Sequence, residues 1–269
     1  MKNYMFKRFI AATFLLMLTA CTSVPKSPPE GKKETEADNS VPAWSYHEEG
    51  GPDHWGKIDS SFSDCANGTE QSPIDIELAN VQLDKGVADI NLSYQPSAFT
   101  VMNNGHTIQA NDASGSNTIT VDDEDYSLIQ MHFHKPSEHQ LNGQPFEMEG
   151  HLVHQNKEGK LAVLGFLIQE GEKNQVLAEM WSKLPQEKTE EDVPLDKTVD
   201  LENLLPEEKT FLRYSGSLTT PPCSEGVKWI LLDQPIEMSK AQIDAFGAIY
   251  PNNSRPTQPL DGRNITEIE

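Results

Sequence analysis

Apolar residues in this chain recur mostly at every second position, in short runs broken by Asn, Gly, Ser and Asp. Runs of this kind at 90–94, 99–102, 107–110 and 118–121 predict short strands, because alternate side chains of an extended chain face opposite sides of a sheet. The same pattern makes 125–131 a strand that carries His132 and His134 onward on one face. A second strand, from Phe146 to His154 after a turn at Gly143, is expected to return beside it. Residues 161–168 are apolar without alternation, as a central strand covered on both faces should be. A further strand is expected at 227–232. Two stretches have helical spacing instead. One is 173–184, with Val176, Leu177, Met180, Trp181 and Leu184; the other carries Ile243, Phe246 and Ile249 after a capping box at Ser239 and Gln242. Between them, 186–200 is acidic and interrupted by proline, as a surface connection would be. Pattern alone specifies a mixed, strand-rich chain.

The amino end breaks the pattern. Lys2, Lys7 and Arg8 precede an apolar run at 9–20 that is too short to span a bilayer and reads as an export signal. It closes on Leu18-Thr19-Ala20-Cys21, which resembles a bacterial lipoprotein cleavage box. Cys21 is then the acylated first residue of an exported protein, periplasmic or cell-surface, tethered to a membrane through that lipid. Residues 21–40 offer little to bury and much Pro, Lys and Glu, so they are expected to form a disordered linker, with one folded domain over 41–269. The 269 residues, 36% hydrophobic and 23% charged, suit one large domain, and no internal repeat is visible. Charge narrows the partners. The formal net charge is −21, and loss of Lys2, Lys7 and Arg8 with the signal makes it about −24, which argues against nucleic acid or an anionic lipid surface. With Cys21 lipidated, Cys65 and Cys223 remain as an even pair in an exported protein and read as a disulfide closing a loop of about 158 residues; C-x-x-C does not occur.

Candidate chemistry gathers in Gln130-Met131-His132-Phe133-His134 and Glu149-Gly150-His151-Leu152-Val153-His154. Same-face positions on a strand lie about 7 Å apart, and leaning imidazoles can bring their nitrogens to the roughly 2 Å that zinc requires. An H-x-H pair alone is weak evidence, since a strand histidine is usually a hydrogen-bonded core residue. Parity supplies the third ligand: Glu147, Glu149, His151 and Val153 share one face of the returning strand, and His154 points away. Gln130 and Glu149 each stand two residues before a ligand, where an acceptor for its other N–H is needed. Three neutral histidines leave a zinc ion its full charge and an open fourth position. Glu138, in Ser137-Glu138-His139, is placed to be a general base, a ligand or an acceptor, and spacing does not choose. His106 leaves the turn Asn103-Asn104-Gly105; its ordinary pKa suits a proton relay, although most exposed turn histidines are inert. Ser217-Leu218-Thr219-Thr220-Pro221-Pro222, taken alone, is only a rigid turn. The H-E-x-x-H helix of zinc hydrolases is absent.

Together, Q-x-H-F-H, S-E-H, E-x-H-L-V-H and S-L-T-T-P-P resemble the alpha-class carbonic anhydrases, over roughly residues 44–259. The resemblance implies a mainly β fold: one twisted, mostly antiparallel sheet of about ten strands with a few peripheral helices. It implies a Zn2+ enzyme that converts carbon dioxide reversibly to bicarbonate and a proton by attack of zinc-bound hydroxide, with weak esterase activity as a by-product. Carried onto this chain, the ligands are His132, His134 and His151, and His106 is the proton shuttle. Thr219, bonded to Glu138, orients the hydroxide, and Thr220 helps place substrate or bicarbonate. Val153, Leu161, Val163, Leu218, Val227 and Trp229 match an apolar pocket beside the zinc, and Tyr46 a water network. His54, His139 and the motif at 71–76 are given no chemistry. The closing motif Asn253-Ser254-Arg255-Pro256 has Ser254 where the family usually has tryptophan, a change expected to affect packing. A metal-dead binding module on the same fold would need a broken ligand set, and a zinc-storage lipoprotein would not need Thr219 with Glu138.

Overall fold

The computed structural model describes residues 43–84 and 90–268. The expected export signal (1–20), Cys21 and the linker to residue 40 lie outside the described residues. In chain order the strands are β1 (Asp75–Ile76), β2 (Gln82–Leu83), β3 (Ile90–Ser93), β4 (Phe99–Asn103), β5 (Ile108–Asp112), β6 (Thr118–Val121), β7 (Glu124–His134) and β8 (Gln140–Leu141). They continue with β9 (Gln144–Pro145), β10 (Met148–Gln155), β11 (Leu161–Glu170), β12 (Val193–Pro194), β13 (Phe211–Ser217), β14 (Glu225–Met238) and β15 (Thr266–Ile268). Among the described residues four α-helices accompany them, besides short 3-10 turns: α1 (Trp55–Ile58), α2 (Asp64–Asn67), α3 (Ala178–Ser182) and α4 (Lys240–Ile249).

One sheet organises the molecule. Its continuous path of ten strands runs β12-β4-β5-β7-β10-β11-β14-β13-β15-β2, with β6 also beside β7 and β3 beside β6. Within it β11 and β14, and β15 and β2, pair in parallel, and the other pairs are antiparallel. The expected fold class is therefore the observed one. The turn at Gly143 closes a separate small hairpin: Asn142 and Gly143 both have positive φ, 52° and 75°, as a two-residue turn between β8 and β9 requires.

The centre of the sheet is apolar on both faces. Met131, Phe133, Leu152, Leu164, Phe166, Ile230 and Leu232 enter one core, which α4 covers with Ile243 and Phe246. Residues of opposite parity, Val153, Val163, Leu167, Val227, Trp229 and Leu231, enter a second core on the other face. This is why 161–168 shows no alternation: β11 lies between β10 and β14 with both of its faces buried.

The helix expected over 173–184 shrinks to α3, one turn. Asn174 diverts the start: its side-chain oxygen accepts from the Leu177 amide, and its own amide donates to Gln242 Oε1 on α4. Leu177, Met180, Trp181 and Leu184 are buried as the pattern required, so helical spacing here marks one buried turn rather than a long amphipathic helix. The capping box at Ser239 and Gln242 is present and opens α4.

Candidate metal centre

Register sets the first contact. His151 on β10 stands directly opposite His132 on β7, and His134 lies two residues further along β7, opposite Glu149. Ring centroids are 5.0 Å apart for His132 and His134, 5.0 Å for His132 and His151, and 4.6 Å for His134 and His151. One nitrogen from each ring lies within 4.8 Å of the other two.

The remaining ring nitrogens decide the protonation. His132 Nδ1 donates to Gln130 Oε1 at 2.8 Å, His134 Nδ1 to the Asn253 carbonyl at 2.8 Å, and His151 Nε2 to Glu149 Oε1 at 2.8 Å. None of these partners can donate, so each outer nitrogen carries the hydrogen and each inner one a lone pair. Burial, reinforced by mutual repulsion, holds His132 well below the usual imidazole range, and burial takes His134 to about 4 and lowers His151. Three neutral imidazoles thus aim lone pairs at one another: His151 Nδ1 is 3.3 Å from His132 Nε2, and buried His134 Nε2 has no partner. Such convergence is unfavourable unless a cation accepts all three, and the donor set fits Zn2+.

Glu149 is the pivot beneath the site. Burial alone would raise its pKa, but His139 and His151 hold it well below the usual carboxylate range. Its Oε2 accepts the backbone amides of Glu138 and His139, while Oε1 accepts from His139 Nδ1 at 2.7 Å as well as from His151. His139 continues to the Tyr214 hydroxyl at 2.7 Å, which meets Ser72 Oγ at 2.8 Å. His139 therefore supports a ligand's partner rather than merely packing.

Glu138 is buried, and that burial pushes its carboxyl up to about 7 against the pull of His151, the Arg255 amide and Thr219. Its Oε1 accepts from the Arg255 amide at 2.8 Å and lies 3.4 Å from His134 Nδ1. Its Oε2 is buried and has no hydrogen-bond partner among the described residues. The loop of Thr219 and Thr220 is held from both ends. Ser72 and Ser217 exchange amide-to-hydroxyl bonds at 2.9 and 3.0 Å, Cys223 N donates to Thr220 O, and Cys65 bonds Cys223 as a disulfide. The motif at 71–76, given no chemistry from sequence, is thus a latch for this loop.

The six expected pocket residues come together. Val153, Val163, Val227 and Trp229 are buried in the second core, and Leu161 and Leu218 pack against it. The Trp229 ring lies 4.9 Å from that of His151. His106 is half-buried at its turn, its ring stacked on Trp44 with centroids 3.8 Å apart and planes 7° from parallel. Burial, then Lys188, lowers its pKa. Burial, with Glu138 and Tyr250 nearby, raises Tyr46. From sequence Asn253 and Arg255 are only part of the closing motif, with no role at this site; they reach it through tertiary closure, which no local spacing signals.

A family model described as eukaryotic-type carbonic anhydrase matches residues 50–269. A carbonic anhydrase of Pectobacterium atrosepticum is 42% identical over 253 residues, 93% of this chain and 96% of that protein. One of Neisseria gonorrhoeae is 37% identical over 264 residues, 97% of this chain and 99% of that protein. Among solved structures, the Thermovibrio ammonificans alpha-carbonic anhydrase in complex with sulfanilamide superposes with a TM-score of 0.81 at 40% identity, covering 84% of this chain and all of that one.

Proposed function

The chain belongs to the eukaryotic-type carbonic anhydrase family, and from that premise we propose that it hydrates carbon dioxide reversibly with zinc held by His132, His134 and His151 and with His106 carrying the proton. The observation that carries the reading is the convergence of three imidazole nitrogens whose hydrogens are all committed elsewhere. Zinc, when bound there, supplies a Lewis acid that makes water a competent nucleophile at neutral pH.

The chain's own residues do the rest. Gln130, Glu149 and the Asn253 carbonyl keep the ligands neutral and aimed. Glu138 Oε2, buried without a partner among the described residues, is the acceptor open to the Thr219 hydroxyl hydrogen, which leaves the Thr219 oxygen to orient a water. Thr220 helps hold substrate or bicarbonate. The wall of Val153, Leu161, Val163, Leu218, Val227 and Trp229 admits an uncharged linear molecule and offers nothing to a charged one. Each hydration turns carbon dioxide and water into bicarbonate and a proton, and that proton leaves through the imidazole of His106.

Stopped-flow carbon dioxide hydration with zinc content assayed tests the proposal. Fast hydration with one zinc per chain, both lost in His132→Ala, is the expected result. A folded protein that carries one zinc and has no hydration activity would overturn it.

A further inference from the structure

One buried residue touches both the metal centre and the turn that carries His106. Asn253 is wholly buried, and each of its polar atoms is used. Its backbone carbonyl accepts from His134 Nδ1 at 2.8 Å, and its amide donates to Lys135 O at 3.0 Å. Its side-chain oxygen accepts from Lys135 N at 2.8 Å, and Nδ2 donates to Phe133 O at 3.0 Å and to His106 O at 3.1 Å. Asn253 therefore grips the end of β7 on both sides of His134 and spends its last hydrogen on the other histidine's peptide.

We propose that the Asn253 side chain is a positioning residue for proton release, fixing the backbone of His106 relative to the three-histidine centre. The inference rests on the reading of His106 as the proton carrier. The His106 peptide is held on both sides: its amide donates to Asn104 Oδ1 at 2.9 Å, and its carbonyl accepts from Asn253. Among the described residues the imidazole itself has no hydrogen-bond partner, and it lies against Trp44. The ring can thus swing about its side-chain bonds while its pivot stays fixed. A proton carrier needs both, because transfer distance is set by the pivot and delivery to solvent by the swing. Thr107 Oγ1 also donates to Phe133 O, which ties the following residue, but among the described residues only Asn253 reaches the His106 carbonyl.

The two roles of Asn253 separate chemically. The ligand is held by its backbone and the turn by its carboxamide nitrogen. Asn253→Asp keeps the backbone bond to His134 and the acceptor for Lys135 N, and leaves at most one hydrogen, that of a protonated carboxyl, where Phe133 O and His106 O each accept one. Proton release follows bicarbonate departure, so it limits kcat at saturating carbon dioxide and leaves kcat/KM untouched. The test compares wild type, Asn253→Asp, His106→Ala and the double variant as zinc-loaded enzymes in a buffer that carries protons poorly, with and without added imidazole; Asn253→Ser stands in if the aspartate variant does not fold. The expected result is a kcat loss of about tenfold in Asn253→Asp, with zinc retained and kcat/KM falling much less than kcat. Imidazole should restore the rate, and the double variant should be no slower than His106→Ala. A parallel fall in kcat/KM, loss of zinc, failure of imidazole to restore the rate, or further slowing of His106→Ala would overturn the proposal. If His106→Ala alone keeps full kcat, the shuttle reading itself fails, and that appears in a variant that leaves Asn253 intact.

Discussion

His134 and His154 are both buried imidazoles, on neighbouring strands, and their second ring nitrogens separate them. His134 gives one hydrogen to the Asn253 carbonyl and turns its other nitrogen toward two more histidines. His154 meets the Tyr94 hydroxyl through Nε2 at 3.0 Å, on the opposite face, and its Nδ1 has no partner. Burial drives His154 to about 3, partly offset by the backbone of Leu152 and Ala162. The unfolded chain takes up this proton near pH 6.5 and the folded chain only near pH 3, so folding stability is lost as pH falls from about 6.5 toward 3. At pH 5 the loss is about 2 kcal/mol, and His154→Gln should flatten the acid limb of a plot of Tm against pH between 7 and 5. At the ligands the expectation differs. Glu149→Gln keeps the shape but weakens the acceptor for His151 and His139, and zinc affinity measured by chelator competition should fall roughly 10- to 100-fold. Gln130 and Glu149 were legible because a partner two residues away on a strand shares its face. Asn253 was not, because it meets His134 across 119 residues of chain.

Elements around the site differ in how far their sequence announces them. The strand β7 was visible from its alternation, β10 from its parity with His151, β11 from an unbroken apolar run, and the start of α4 from Ser239 and Gln242. The helix of 173–184 was overread, because buried positions three and four apart need only one turn when Asn174 and Gln242 tie down the rest. The latch at 71–76 had no visible purpose until Ser72 met Ser217. Around that latch, Arg255 donates from its guanidinium to the carbonyls of Cys65 and Ser72 and to Gln71 Oε1, and from its backbone to Glu138. Gln71 Nε2 in turn donates to the Cys223 carbonyl. The disulfide, the threonine loop and Glu138 thus share one network. Replacing Cys65 and Cys223 by serine should cost at most about 5 kcal/mol by loop-closure entropy, lowering Tm. It should also slow hydration, because the loop of Thr219 loses its anchor. A lower Tm with unchanged kcat/KM would show that the bridge supports only the fold.

The whole molecule adds a field to the site. The formal net charge is −21, and the ion pairs of Lys and Arg among the described residues are exposed, as with Lys160 and Glu158, or partly exposed, as with Lys228 and Asp122, so they contribute little to stability individually. The charge matters instead for traffic. Carbon dioxide is neutral and insensitive to the field, whereas bicarbonate approaches against it and leaves with it. Screening lengths of about 10 Å at 0.1 M salt are shorter than a domain of this size, so the effect belongs to low ionic strength. Raising the concentration of a weakly coordinating salt from about 0.01 to 0.2 M should lower KM for bicarbonate in the dehydration direction while KM for carbon dioxide stays constant. Because the equilibrium constant of the reaction is fixed, the ratio of kcat/KM in the two directions, corrected for ionic strength in solution, must remain consistent with it. An equal change in both KM values would instead place the effect on the catalytic groups, and would remove surface charge from the account of how the ion enters and leaves.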